Sequence, residues 1–261
     1  MPERKIVLRM DDAGSCESAN RAVRECADAG IAKNASLMVP GPAFEHAARL
    51  LAGHPNLCFG LHVVLNAEWD TVKWGPVAGP CRVPSLCEAT GMFTSEPKVL
   101  HNRGFSLDEA ELEVRAQLAK AREAGFAIRY MDEHMGVGWL GGLAERLARI
   151  AADEGLVFRP KLEYPALETA LDPGSGPEEQ AEARVRALID GLARAGEGPF
   201  LYVTHPGLDE PDMRSFVHAG LVPGAVARER DLDRRMFVSP LLREGLDRLG
   251  IRSIRYDEIG A

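Results

Sequence analysis

Short apolar runs alternate along the chain with segments whose apolar residues recur at helical spacing. The first run covers 6–8 and ends at Asp11 and Asp12, and the next segment, 17–29, has helical periodicity up to Gly30, a residue typical of helix C-termini. The same unit recurs, with strands predicted at 35–39, 57–65, 128–131, 156–158, 200–204 and 251–254, and helices at 43–52, 108–124, 139–153, 178–195 and 240–249. This alternation favours a parallel, barrel-like α/β fold.

Two stretches interrupt the alternation. Residues 67–104 contain Trp69, Trp74 and several prolines and glycines without clear periodicity, and residues 208–226 are similarly irregular after a predicted strand. Loops that follow strands carry the active sites of many α/β enzymes, so both stretches are expected to cover a substrate site. No change of composition marks a domain boundary, and we expect a single domain over 1–261 with one insertion loop at about 67–104.

Charge and cysteine content exclude several classes of protein. The formal net charge of −8 disfavours binding to nucleic acid or to anionic membranes. The five cysteines are odd in number and contain no Cys-x-x-Cys pair, which fits neither a disulfide framework nor a thiolate zinc site. The apolar run near the N-terminus is too short for a signal peptide or a membrane span. A cytoplasmic location is therefore expected.

Polar residues with metal-binding chemistry stand at four predicted strand ends. The first strand ends at Asp11 and Asp12, and the third carries His62. The fourth is followed by Asp-Glu-His at 132–134, and the strand at 200–204 is followed by His205. Because the carboxyl ends of parallel strands meet at one edge of the fold, we expect these side chains to converge.

A carboxylate and two imidazoles from separate strands can hold a catalytic divalent metal and leave positions open for water and substrate. Water on such a metal becomes a nucleophile near neutral pH. Adjacent aspartates at a strand end point in different directions, so one can bind the metal while the other acts as a base. His205 would then protonate a leaving amine.

Each of these features also has a structural interpretation. An Asp-Asp pair at a strand-to-helix turn is typical of a helix N-cap, and a single histidine at a strand end is commonly a hydrogen-bonded structural residue. The occurrence of such residues at four strand ends favours the metal site. The remaining histidines are interpreted as surface residues: His46, His54, His101 and His218.

The order of the motifs carries a resemblance to a known family. The chain has Asp-Asp-x-Gly at 11–14 followed by Asn20, Gly-Leu-His at 60–62, Asp-x-His at 132–134 and His-Pro-Gly at 205–207. In this order the motifs resemble those of the YdjC-like carbohydrate deacetylases. The similarity continues to Arg-Tyr-Asp-Glu-Ile near the end of the chain and so covers almost all of the sequence.

The resemblance implies a distorted (β/α) barrel that hydrolyses an N-acetyl group from an amino sugar or oligosaccharide and releases acetate. It implies that Asp12, His62 and His134 bind one divalent metal ion, Mg²⁺ or Zn²⁺. It also implies that Asp11 is the general base and His205 the general acid. The expected partner is an N-acetylated sugar, and the sequence leaves open whether the chain forms a homodimer.

Four further residues are candidates for the same site. Trp69 and Trp74 stand in the first long loop, where an indole ring can stack on a sugar or can anchor the loop. Arg159 is predicted to orient Asp11 or to bind substrate. Asp132 is predicted either to orient a ligand histidine or to cap a loop.

Two other functions fit part of the sequence. Gly136, Gly138 and Gly141 form a Gly-x-Gly-x-x-Gly run between a strand and a helix, as a dinucleotide-binding turn does. A non-catalytic sugar-binding barrel would keep the fold, but it would have no chemical need for a base or an acid. A serine or cysteine hydrolase is disfavoured, because no Gly-x-Ser-x-Gly elbow is present.

Overall fold

The computed structural model describes residues 3–167 and 175–259. Over these residues, seven strands form one sheet in the order β5-β4-β3-β2-β1-β6, with β7 also paired to β1, and all of these pairings are parallel. The strands are β1 (Arg4–Ala13), β2 (Asn34–Leu37), β3 (Cys58–Val63), β4 (Ile128–Glu133), β5 (Val157–Phe158), β6 (Phe200–Thr204) and β7 (Ile251–Ile254). The predicted parallel α/β fold is confirmed.

Helices connect the strands and cover one face of the sheet. They are α1 (Glu17–Ala29), α2 (Phe44–Leu51), α3 (Pro97–Arg103), α4 (Leu107–Glu123), α5 (Leu143–Asp153), α6 (Pro177–Arg194), α7 (Pro211–Arg214), α8 (Ala225–Val238) and α9 (Pro240–Arg248). Short 3₁₀ segments lie at Pro84–Leu86, His134–Trp139 and Tyr256–Glu258. The end of α1 is as predicted, since Gly30 adopts the left-handed conformation with φ 79°. Among the described residues, none of the helices combines the length and the apolar composition of a bilayer span.

The structure differs from the predicted elements in three places. The helix predicted at 139–153 begins only at Leu143, because left-handed backbone at Met135 and Gly136 first turns the chain into a 3₁₀ segment. The stretch 208–226, predicted as irregular, contains α7 and the start of α8. The loop 67–104 is irregular over most of its length but includes a 3₁₀ segment and α3.

Strand β1 lies at the centre of the sheet. Strand β6 pairs with residues 6–10 of β1, whereas β7 and β2 share the opposite edge, β7 beside the first half and β2 beside the second. The strand is therefore hydrogen-bonded on both edges over most of its length, and its C-terminal end is held firmly in place.

The two faces of the sheet carry separate apolar clusters. Alternation along β1 sends Ile6 and Leu8 to the helix-covered face and Val7 to the inner face. On the inner face Val7 packs in one cluster with Tyr130 and Tyr256, whose rings stack with centroids 4.0 Å apart. These aromatic rings fill the interior of the curved sheet.

The edges of the sheet approach each other beyond β5. An isolated parallel bridge joins Glu163, which follows β5, to Phe200 in β6. The main-chain N–H of Leu201 donates to the carbonyl oxygen of Glu163 at 2.8 Å. The curled sheet with its surrounding helices is the distorted (β/α) barrel that the family resemblance implied.

Candidate active site

Asp11 and Asp12 reach the same edge of the sheet because the end of β1 is irregular. Alternation along the strand places Arg9 and Asp11 on one face. The register with β2 then shifts between Met10 and Ala13, and Asp12 adopts a φ of 66°, a conformation uncommon for residues other than glycine. Both carboxylates consequently border one cavity.

Neither aspartate caps helix α1. The N-cap is Cys16, whose Sγ accepts the main-chain N–H of Ala19. The carboxylate of Asp11 instead accepts hydrogen bonds from Arg9, and that of Asp12 accepts one from Arg230. The N-cap interpretation of the aspartate pair is therefore wrong.

Three possible ligand atoms from different strand ends converge beside the cavity. Asp12 Oδ1 lies 3.4 Å from His62 Nε2 and 3.3 Å from His134 Nδ1. The two imidazole nitrogens are themselves 3.3 Å apart. Tetrahedral ligands bound at about 2.1 Å stand about 3.4 Å from one another, so this triangle has the spacing of a zinc-type ligand set. We call these three residues the triad.

Each member of the triad is held on its other side by a charged residue. Arg230 Nη2 donates to Asp12 Oδ2 at 2.7 Å, which leaves Asp12 Oδ1 facing the histidines. Asp132 Oδ1 lies 2.8 Å from His62 Nδ1, and Glu68 Oε2 lies 3.0 Å from His134 Nε2. Carboxylates in such positions fix the ring orientation and the tautomer of metal-binding histidines.

The residues around the triad carry a net negative charge that one divalent cation would balance. With neutral histidines, the group has two more negative than positive charges, counting Asp11, Asp12, Glu68, Asp132, Arg9 and Arg230. Burial alone would lower the pKa of His134, but Asp12 and Glu68 outweigh burial and raise it to about 9. The pKa of His62 is raised for the same reason, mainly by Asp132 and Asp11 against burial. Two protons or one divalent ion can supply the missing positive charge.

One buried atom of the triad has no hydrogen bond. Within the described part of the chain, Asp12 Oδ1 has no partner of suitable geometry, although its surroundings exclude water. A buried carboxylate oxygen without a partner is costly. A cation between this oxygen and the two imidazole nitrogens would satisfy all three atoms, so the residues present fit a divalent metal.

Asp11 is bound by an arginine rather than by the triad. Arg9 donates from Nε to Asp11 Oδ1 at 2.7 Å and from Nη2 to Asp11 Oδ2 at 2.8 Å, and its Nη1 lies 2.9 Å from Asp132 Oδ2. Burial alone would raise the pKa of Asp11, but Arg9, His62 and His205 lower it. Asp11, His62 and Asp132 also bring possible ligand atoms within 4.8 Å of one another. In that group the guanidinium of Arg9 already forms ion pairs with both carboxylates.

The triad opens on a cavity of about 600 Å³ that Asp11 and His205 also line. His205 is exposed, and its main-chain N–H donates to Asp233 Oδ2 at 2.9 Å. The sequence-predicted base, acid and ligand residues therefore all border one cavity at the carboxyl ends of the strands.

The two tryptophans of the long loop occupy different environments. Trp69 lines the cavity, with its ring 5.5 Å from that of Phe216. Trp74 is only 3% exposed, and its Nε1 donates to the carbonyl oxygen of Asn66 at 2.7 Å. The proposed sugar contact of Trp74 is therefore wrong, because its ring is packed in the core. Trp74 anchors the loop.

Arg159 lies away from Asp11. Its guanidinium pairs with Glu133 Oε1 at 2.7 Å, and its side chain is half exposed. The prediction that Arg159 orients Asp11 is wrong, since Arg9 occupies that place. Arg159 borders a smaller neighbouring cavity of about 260 Å³, where it remains a candidate for contact with substrate.

The glycine-rich run after β4 does not form a dinucleotide-binding turn. The main-chain N–H of Gly138 donates to Glu133 Oε2 at 2.6 Å, so a carboxylate occupies a donor that a phosphate would need. A Cβ at Gly138 would lie 2.2 Å from Arg159 Nη2. This glycine therefore makes room for the Glu133–Arg159 ion pair.

Sequence reasoning misses three charged residues of the site: Arg9, Glu68 and Arg230. Arg9 is detectable in principle, because an arginine within an apolar strand, two residues before Asp11, must share its face. Glu68 lies in an irregular loop and Arg230 in a highly charged helix. No periodic pattern distinguishes these two from surface charges.

Comparison with known proteins identifies the family of this chain. The family model described as YdjC-like protein matches residues 5–248. A carbohydrate deacetylase of Brevibacillus brevis is 24% identical over 98% of this chain and 100% of the relative. A carbohydrate deacetylase of Danio rerio is 31% identical over 60% of this chain and 49% of its own length.

A solved structure shares the fold at low sequence identity. The crystal structure of a putative cellobiose-phosphate cleavage protein from Enterococcus faecalis V583 superimposes with a TM-score of 0.78 at 18% identity, covering 99% of this chain and 100% of the other. The match of the family model over nearly all of the sequence shows that this chain belongs to the YdjC-like family.

Proposed function

We propose that the protein is a metal-dependent hydrolase that removes the N-acetyl group from an amino sugar or oligosaccharide. The convergence of Asp12 Oδ1, His62 Nε2 and His134 Nδ1 beside a cavity carries this proposal. The name carbohydrate deacetylase, borne by relatives along most of the chain, supports the same reaction class.

Asp12, His62 and His134 would hold one divalent ion. Two nitrogen ligands beside one carboxylate favour Zn²⁺ over Mg²⁺, which prefers oxygen ligands in octahedral geometry. When bound, such an ion polarises a carbonyl group and lowers the pKa of a coordinated water. Arg230, Asp132 and Glu68 keep the three ligand side chains in the orientation that binding requires.

Asp11 is the proposed general base. Arg9 favours its ionised form, so the carboxylate is ready to accept a proton from the attacking water. The same two hydrogen bonds fix the carboxylate in one orientation at the edge of the cavity. The ionised form of Asp11 and its place in the lining of the cavity support this assignment.

His205 is the proposed general acid. In the hydrolysis, the C–O bond to water forms, the amide C–N bond breaks, and the departing nitrogen takes up a proton. His205 lines the same cavity as Asp11 and can donate that proton. The products are acetate and the free amino sugar.

The cavity fits a sugar ring beside the triad. Its volume of about 600 Å³ lies within the range of small-molecule sites. Trp69 supplies an aromatic surface of the kind on which sugar rings stack. We therefore keep Trp69 as a substrate contact.

The test combines metal stoichiometry with acetate release. Equilibrium dialysis against Zn²⁺, Co²⁺ and Mg²⁺ should give about one ion per chain, and the loaded protein should release acetate from N-acetylated amino sugars. Asp11→Asn should keep the metal and lose turnover, whereas His62→Ala should lose both. Sugar binding without acetate release would instead indicate a binding-only barrel, and absence of metal from the wild-type protein would overturn the mechanism.

A further inference from the structure

Helices α6 and α8 bring a second group of charges to the cavity. Arg184 comes from α6, and Glu229 and Asp233 come from α8. None of these three contacts the triad in the described structure, and the proposed reaction assigns them no step. Their position in the lining nevertheless exposes them to any sugar bound beside the metal ligands.

The single arginine of this group is already neutralised. Arg184 Nη1 donates to Asp233 Oδ1 at 2.8 Å, and Nη2 pairs with Glu229. Asp233 also accepts the main-chain N–H of His205. Glu229 is the outermost member, since 62% of its side chain is exposed. The group therefore presents carboxylate oxygens, and a net negative charge, to the cavity.

The same imbalance holds for the whole lining. It contains six carboxylates and only two arginines: Asp11, Asp12, Glu68, Glu133, Glu229, Asp233, Arg184 and Arg230. Arg184 and Arg230 are both paired with carboxylates, and Nη1 of Arg230, which has no hydrogen-bond partner among the described residues, is buried away from solvent. When Arg9 and Asp132 behind the lining are counted, together with Arg159, which pairs with Glu133, a divalent ion on the triad leaves one negative charge, that of the group formed by Arg184, Glu229 and Asp233. Binding of a phosphate or a carboxylate needs accessible cationic or N–H donors, and these paired arginines do not provide them.

We propose that this cavity selects amino sugars that carry no phosphate or carboxylate group, and that Glu229 and Asp233 exclude anionic sugars. The inference rests on the proposed function and names the substrate class of the same site. Like charges brought together at a binding surface are strongly unfavourable, so discrimination by one unit of charge is expected to reach at least about tenfold.

The experiment compares two substrates that differ only by one phosphate group. They are a neutral N-acetylated amino-sugar disaccharide and the same disaccharide phosphorylated on a hydroxymethyl group. The zinc-loaded protein should hydrolyse the neutral compound with a kcat/KM at least about tenfold higher, mainly through KM, and the ratio should shrink in high salt. Glu229→Gln should lower the ratio of the two kcat/KM values about threefold or more. The substitution removes one negative charge and leaves Nη2 of Arg184 without its carboxylate partner. Glu182→Gln, on the exposed face of α6, is the matched control and should leave the ratio unchanged.

A binding measurement keeps the inference separate from the reaction. Isothermal titration of the zinc-loaded protein with glucosamine and with glucosamine 6-phosphate compares binding with and without a phosphate group in the absence of turnover. Weaker binding of the phosphate compound, relieved by Glu229→Gln, supports the inference even if no N-acetylated sugar is hydrolysed. Equal or tighter binding of the phosphate compound overturns it, whatever the outcome for deacetylation.

Discussion

Arg9 forms a two-point ion pair with Asp11 and also reaches Asp132, the carboxylate that holds His62. One guanidinium thus connects the proposed base to the carboxylate that holds a proposed metal ligand. All of these groups are largely buried, so the charges interact with little screening by water.

Replacing Arg9 should impair the base without removing the metal ligands. In Arg9→Gln the pKa of Asp11 should rise, because its main counter-charge is gone. The acid limb of the kcat/KM profile should then move to higher pH, and activity at pH 7 should fall about 100-fold. Arg24→Gln, at an exposed pair with Asp28, should change neither. An unshifted acid limb with the fold intact would assign the base role to another group.

Glu68 should strengthen metal binding although it is not itself a proposed ligand. Glu68→Gln removes the negative charge beside His134 Nε2 and should weaken Zn²⁺ affinity about 10- to 100-fold, as measured by competition with a chromophoric chelator. Glu88→Gln, an exposed position of the same loop, is the control. Equal affinities of the two variants would limit Glu68 to a structural role.

Metal binding should release protons. Since the pKa of His134 is raised to about 9 and that of His62 is raised well above its ordinary value, we expect both rings to be protonated at neutral pH in the metal-free protein. Calorimetry of Zn²⁺ binding in buffers of different ionisation enthalpy should show release of one to two protons at pH 7, in keeping with about one per displaced imidazolium. Affinity should therefore increase as pH rises towards 9. A pH-independent affinity would contradict the raised pKa values.

The same shifts predict how stability depends on pH. A pKa raised by folding contributes stability that is complete below the ordinary histidine value of 6.5 and is lost as pH rises to about 9. The chelator-treated protein should accordingly melt about 5 °C lower at pH 9 than at pH 6.5. The zinc-loaded protein should show a smaller decrease, because the ion replaces the protons. Differential scanning calorimetry of both forms decides this.

The two tryptophans should respond differently to substitution. Trp69→Ala should raise KM about tenfold with little change in melting temperature, because its ring borders the cavity. Trp74→Ala should destabilise the protein by about 3 kcal/mol, because it removes a buried ring and the hydrogen bond to Asn66. Urea denaturation together with steady-state kinetics separates the two effects. An unchanged KM in Trp69→Ala would remove Trp69 from the substrate site.

Gly60 should tolerate no side chain. A Cβ there would lie 2.2 Å from Cε2 of Tyr130, a ring fixed in the interior of the barrel. Gly60→Ala should therefore cost about 2 kcal/mol or more of unfolding free energy, measured by urea denaturation. Gly141→Ala places its Cβ in open space and should cost little. A neutral Gly60→Ala would mean that the Tyr130 ring can move freely.

The alternation of periodic segments was sufficient to predict the parallel fold and most element positions. The residues at strand ends, such as Asp12 and His62, could be located because parallel strands bring their carboxyl ends to one edge. The kink after His134 could not be predicted, since it depends on left-handed backbone at Met135, a residue with no intrinsic preference for that conformation.

The periodicity of the sequence could not predict ion pairs between residues that are far apart along the chain. The contact between Arg230 and Asp12 joins α8 to β1, and the contact between Glu68 and His134 joins a loop to a strand end. Both depend on the three-dimensional path of the chain. The burial of Trp74 could not be predicted either, because no local pattern indicated that its side chain lies in the core.

The central position of β1 has a consequence for biosynthesis. Asp12 is translated 218 positions before Arg230, and Arg9 is translated 195 positions before Thr204 of the flanking strand β6. At a translation rate of about 10 residues per second, Asp12 leaves the ribosome about 20 s before its arginine is made. Asp11 has its partner Arg9 in the same strand, whereas Asp12 acquires Arg230 only after α8 has been synthesised. The proposed metal site is therefore completed late in translation, after strands β1 to β6 have been made.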